Sequence, residues 1–158
     1  GIDNEILLQP VLNVVHKEVF LQVDNGILTL AAREDLLNAV IVKNGFKYVM
    51  VTEIGYAELG NSVGIFFCPG EFDPSIIYSD TESGDAAWTS EKWNYSPLKN
   101  LTDVENIMVF GLCNDQAGYV LRDNEYHSLL TENEEVNVIS RTSGSTFAKA
   151  YGEMFDAI

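Results

Sequence analysis

Two short runs with hardly a polar atom between them, Val63-Gly64-Ile65-Phe66-Phe67-Cys68 and Ile107-Met108-Val109-Phe110, constrain this chain more than any other feature. Neither is long enough for a buried helix, and both are bounded by turn formers, so both read as strands inside a sheet, the first covered on both faces. Tyr48 to Leu59 is rich in β-branched and aromatic residues, and Gly60-Asn61-Ser62 separates it from the first run, which predicts a β-hairpin. Val14 to Val23 alternates, with Val15, Val19, Leu21 and Val23 on one face and His16, Glu18 and Gln22 on the other. That is the pattern of a half-buried strand, with His16 pointing outward.

Helical signals fall between the strands. Asn25 is placed to cap a helix running to about Asn38, with Ile27, Leu30, Ala31 and Leu37 on one arc, and Gly45 ends that connection. Asp73 and Pro74 have the residue types of a cap and first position for a short helix through Tyr78, after Pro69-Gly70 has stopped the strand. Ser79 to Asn100 reads as a long polar excursion, and Ser145 to Ala157 has helical spacing through Phe147, Tyr151, Met154 and Phe155. Apolar strands alternating with helices predict an α/β fold, a mixed β-sheet with helices on its faces. At 158 residues the chain is one domain, or a fragment of a larger one, since it begins at Gly1 without a methionine.

Nine basic residues against 24 acidic ones give a formal net charge of −15, which excludes nucleic acid and anionic membrane as partners for the surface as a whole. No run of eighteen apolar residues occurs, so no transmembrane segment is predicted. Cys68 and Cys113 are too few for a disulfide scaffold or a cysteine zinc site. Both end apolar strands, and buried free thiols and a disulfide between neighbours stay open as alternatives.

Several motifs dissolve on their context. Gly60-Asn61-Ser62-Val63-Gly64 matches the G-x-S-x-G pattern of serine hydrolases, but a nucleophilic Ser62 needs a helix after it and a strand follows. Asp80 to Glu91 has acids at both ends of a twelve-residue calcium loop, with Asp85 where the glycine belongs. His16 and His127, the two histidines, have no spacing that aims both at one ion. In mixed sheets ligands bind just past the carboxyl ends of buried strands, where side chains converge without breaking the core. Glu71 and the cluster Asn114 to Tyr119 occupy such positions.

The segment Thr52-Glu53-Ile54-Gly55-Tyr56 through Gly64 to Cys68-Pro69-Gly70-Glu71, followed by Phe110-Gly111-Leu112-Cys113-Asn114-Asp115-Gln116-Ala117-Gly118-Tyr119 and Asn124-Glu125-Tyr126, resembles the neutral/alkaline non-lysosomal ceramidase family. The likeness covers roughly Thr52 to Glu135, the later part of that family's catalytic domain. It implies a zinc amidase acting on N-acyl lipids, exported to the cell envelope or secreted, whose metal is held by two histidines, the glutamate of Pro-Gly-Glu and a tyrosine after Gly-Leu-x-Asn. Those last two ligands correspond to Glu71 and Tyr119. The family's histidines precede anything in this chain. The resemblance therefore implies the carboxy-terminal portion of a hydrolase domain, with an absent amino-terminal portion as partner, zinc in the full-length protein and none held tightly here. Such a portion is inactive alone, because catalytic zinc takes three protein ligands. The other reading is a non-catalytic acidic α/β binding domain that keeps the fold.

Overall fold

The computed structural model describes residues 5, 7–79, 92–126 and 137–157. Its frame is a mixed sheet of β1 (Leu12–Val23), β2 (Val40–Asn44), β3 (Lys47–Leu59), β4 (Val63–Phe67) and β6 (Asn106–Phe110), while β5 (Glu71–Phe72) and β7 (Tyr119–Val120) form a separate two-stranded parallel ladder. The spine is β3. Along one edge it pairs antiparallel with all of β1, from Leu12 opposite Leu59 to Val23 opposite Tyr48. The other edge is shared: β2 pairs with Lys47 to Val51 and β4 with Gly55 to Leu59, so Thr52 to Ile54 face the gap between them. β4 then pairs in parallel with β6. This is a mixed α/β fold with flanking helices.

Alternation decides what is buried. Val19, Leu21 and Val23 of β1, Met50, Ile54 and Tyr56 of β3 and Phe66 of β4 all point to one face, where helix α3 (Ser143–Phe155) lays Phe147, Tyr151 and Met154 over them. Tyr151 packs its ring against Phe66 at 5.5 Å, and its hydroxyl donates to the Phe67 carbonyl at 2.8 Å, so this buried phenol is satisfied without leaving the core. Ile76 and Ile77 of helix α2 (Pro74–Tyr78) and Leu98 of a 3₁₀ turn at Leu98–Leu101 complete that core. The Asp73 side chain accepts from the Ser75 amide at 2.8 Å, with Pro74 at the first helical position, as its sequence predicts.

The structure departs from the sequence reading in three places. Helix α1 (Gly26–Arg33) is capped by Asn25 as expected, but it ends at Arg33, and Ile27 and Leu30 lie exposed while Ala32 is buried. Its docking is set from outside the helix: the Asn25 amide also donates to the Val138 carbonyl at 3.0 Å, fixing which side of the helix meets the core. The stretch ending at Gly45 contains β2, because Gly45 takes φ +63° and turns the chain straight back into β3. Finally, among the described residues β4 is covered on one face only. Val63, Ile65 and Phe67 are half-buried among neighbouring strands, and on the same side of the sheet Val14, Phe20, Val40 and Val42 are exposed. No helix among the described residues is long and apolar enough to cross a membrane.

Candidate functional site

Glu71 and Tyr119 meet because two segments are stitched together by main-chain bonds. Pro69-Gly70 ends β4, and the loop after β6 runs back beside it: Cys113 N–H donates to the Cys68 carbonyl at 2.9 Å, Leu112 N–H to Gly70 at 3.3 Å and Ala117 N–H to Pro69 at 2.8 Å. Glu71 N–H then donates to Gly118 and Asp73 N–H to Val120, both at 2.9 Å, giving the parallel ladder in which Glu71 stands opposite Tyr119. Partners in one register project to the same side of the ladder. Both line a cavity of about 460 Å³, with Leu28, Leu37, Leu112 and Ile139 as apolar wall and Gln116 and Asn137 as amides.

The loop that delivers Tyr119 is built from unusual backbone. Leu112 (φ +55°), Asn114 (φ +70°) and Gly118 (φ +70°) all occupy the left-handed region, where a branched residue such as Leu112 is seldom found. Such strain persists where surrounding bonds over-determine it, and it gathers at ligand sites. Asp115, inside the loop, accepts a hydrogen bond from the hydroxyl of the buried Thr52 at 2.6 Å and so fastens the loop to β3. Sequence reasoning passed over Thr52, although Asp115 lay inside the cluster it marked. Behind the ladder, Phe72 packs on Phe147 at 5.0 Å and on Tyr151 at 6.4 Å, tying the site to the core.

Cys68 and Cys113, adjoining through that main-chain bond, are both free thiols, Cys68 buried and Cys113 half-buried. Burial pushes the Cys68 thiol up to about 12; the Tyr151 hydroxyl opposes the shift and Cys113 adds to it. Burial also pushes the Tyr151 phenol well above its ordinary value. Both groups are raised in the folded state, so their contribution to stability is whole below the ordinary thiol value of 9.0 and is lost as pH rises toward about 12. The urea midpoint is therefore expected to be level through pH 8.5 and to fall steeply above pH 9. In a thiol-reagent assay at pH 8, Cys113 should react first and Cys68 only on unfolding. Equal rates for the two thiols would contradict this.

The remaining candidates lie elsewhere. Ser62 sits in the β3–β4 turn, its hydroxyl donating to Gly60 at 3.1 Å with β4 following, so it has no nucleophile elbow. His16 is exposed on the other side of the sheet, with Glu53 Oε1 2.5 Å from its Nδ1. His127 and the Asp80 to Glu91 loop lie outside the described residues.

The expectation of zinc is corrected by the donor set. Among the described residues no group of three or more His, Cys, Asp or Glu side chains is placed to hold a metal ion. Among the described residues the cavity offers one carboxylate, and its other walls are leucine, isoleucine, glycine, amide and phenol. One carboxylate and one phenol do not by themselves make a zinc site. Zinc as cofactor is overturned, and the description of the chain as a ceramidase-like zinc hydrolase of sphingolipid metabolism goes with it. Comparison with known proteins supplies nothing to restore it: no family model, no curated protein and no solved structure matches this chain.

Proposed function

We propose that the chain is the carboxy-terminal portion of an amide hydrolase domain and supplies, through Glu71 and Tyr119, the part of its site that grips an N-acyl amide. The observation carrying this reading is the register that puts Glu71 opposite Tyr119 at one cavity. An amide presents one N–H donor and one carbonyl acceptor a short distance apart; a carboxylate beside a phenol is the complementary pair, Glu71 accepting and Tyr119 donating. The leucines and Ile139 give an acyl chain an apolar wall. The bond-breaking groups come from another part of the polypeptide, and no metal enters the reading. The sequence likeness at Pro69-Gly70-Glu71 and Gly111 to Tyr119 motivates the reading, which takes over from it an exported location.

A second reading, a non-catalytic acidic binding domain, is favoured by the same cavity, because two polar groups suffice to hold an amide and fall short of hydrolysing one. A neutral probe, N-octanoyl ethanolamine, separates the cases. Titrated into the chain and followed by amide NMR, it should shift the signals of residues 70–72 and 116–120 and leave β1 unmoved. Glu71→Gln should weaken binding about tenfold and Tyr119→Phe by about fivefold, the usual worth of a charged and a neutral hydrogen bond. The chain alone should not hydrolyse the probe. Absence of shifts around Glu71 would remove both readings, and binding without hydrolysis by the uninterrupted natural polypeptide would leave only the second.

A further inference from the structure

We propose that the outer face of the main sheet is a docking surface for a polypeptide layer that is apolar with an arginine or lysine at its centre. This goes beyond the Glu71 cavity and does not depend on it.

Alternation puts Val14 and Phe20 of β1, Val40 and Val42 of β2 and Met108 and Phe110 of β6 on one side of the sheet, each 43–63% exposed. With the half-buried Val51 and Ile65 they make two apolar lobes, Phe20, Val51, Val40 and Val42 toward one end and Val14, Ile65, Met108 and Phe110 toward the other, with His16, Glu18 and Glu53 between them. β1 and β3 run about 40 Å and the paired strands span about 15 Å, so the face covers on the order of 600 Å². The face as a whole, its charged band included, is near the roughly 800 Å² per partner of a standard interface. Its ends carry polar residues, Asn106 at one and Asn44, Gln22 and Lys47 at the other, where the Lys47 ammonium donates to the Gln22 side chain at 2.9 Å and leaves the centre of the face to the carboxylates.

Charge selects the occupant. Glu18 and Glu53 stand directly opposite each other in the β1–β3 register, near the middle of the face, with His16 beside them at Glu53. Covering the face removes these carboxylates from water, which is costly unless a cation meets them; a guanidinium can bridge both. A second copy of the chain would bring four carboxylates into one dry patch and is disfavoured for that reason. The excess of 24 acidic over nine basic residues also steers basic partners toward the protein.

The chain itself supplies the probe. A variant carrying Glu18→Arg and Glu53→Arg presents the same apolar face with a basic centre. By sedimentation velocity at 50 µM, wild type and variant should each be monomeric, and their equimolar mixture should form a 1:1 heterodimer. Phe20→Asp in the wild-type partner should weaken that association at least about tenfold. Single variants Glu18→Arg and Glu53→Arg, checked by circular dichroism, serve if the double variant does not fold. A wild-type dimer would overturn the choice of partner, and a mixture that stays monomeric would overturn the docking surface.

Discussion

Gly118→Ala should lower the stability of the protein by about 3–4 kcal/mol, read as a falling urea midpoint with the slope unchanged. Gly118 has φ +70°, a region that costs an L-residue about 1–2 kcal/mol. An added Cβ would stand 2.0 Å from the Asn137 carbonyl oxygen and 3.2 Å from its carbon, both main chain, so no side chain can swing aside. The backbone must move, and what it carries is the ladder itself, because Gly118 accepts from Glu71 and bridges to Val138. The loss should therefore extend to the register of Glu71 with Tyr119 and to amide binding. Gly152→Ala is the internal control. Inside α3, with nothing within 4 Å of the added carbon, it should stabilise by about 0.5–1 kcal/mol. A Gly118→Ala midpoint within error of wild type would mean the loop is not pinned at Asn137.

The contrast between the two glycines shows what a sequence can and cannot disclose. Periodicity revealed β1 and α3 because each pairs a regular repeat with one buried face, and a period of two or of 3.6 is written along the chain; β3 and β4 were legible from composition, as β-branched, aromatic and apolar runs between turn formers. The cap at Asp73-Pro74 was legible for a similar reason: its chemistry is local. Gly118 and Gly152 look alike in the text, yet one abuts a carbonyl from 19 positions away and the other abuts nothing. The same holds for Asn25, whose cap was readable and whose bond to Val138 was not. The pairing of Glu71 with Tyr119 was suggested by strand ends and by likeness. The zinc that this likeness implies fails among the described residues because ligand count depends on every wall of the cavity, and the walls at Leu28 and Ile139 come from segments with no motif. The uncovered outer face was hidden for a related reason: apolar strands promise two covering layers, and the described residues supply one.

Arg122 is the second position where a large effect is expected. It is 1% exposed, and its Nη2 donates to two carbonyls, Ser75 in the first turn of α2 at 2.6 Å and Ser79 at its C-cap at 2.7 Å, while its guanidinium lies 5.7 Å from the Trp93 ring. One side chain thus ties the segment after β7 to both ends of α2 and to the segment at Trp93. Arg122→Met keeps most of the volume and removes a buried charge, which recovers desolvation energy. Against that gain stand two charge-assisted bonds worth about 1.5–3 kcal/mol each. Ser75 keeps a bond from the Ser79 amide at 3.3 Å, and the balance comes to about 2–3 kcal/mol of destabilisation. Arg122→Ala adds an unfilled space and should cost about 4–5 kcal/mol. Arg122→Lys should fall near the methionine variant, since an ammonium lacks the planar fork and stacks poorly on indole. In a Trp88→Phe background, Trp93 emission should shift to longer wavelength with each variant. The ordering Ala worse than Met, with Met and Lys nearly equal, separates lost geometry from lost charge: a lysine that restored full stability would show that charge alone holds α2 in place.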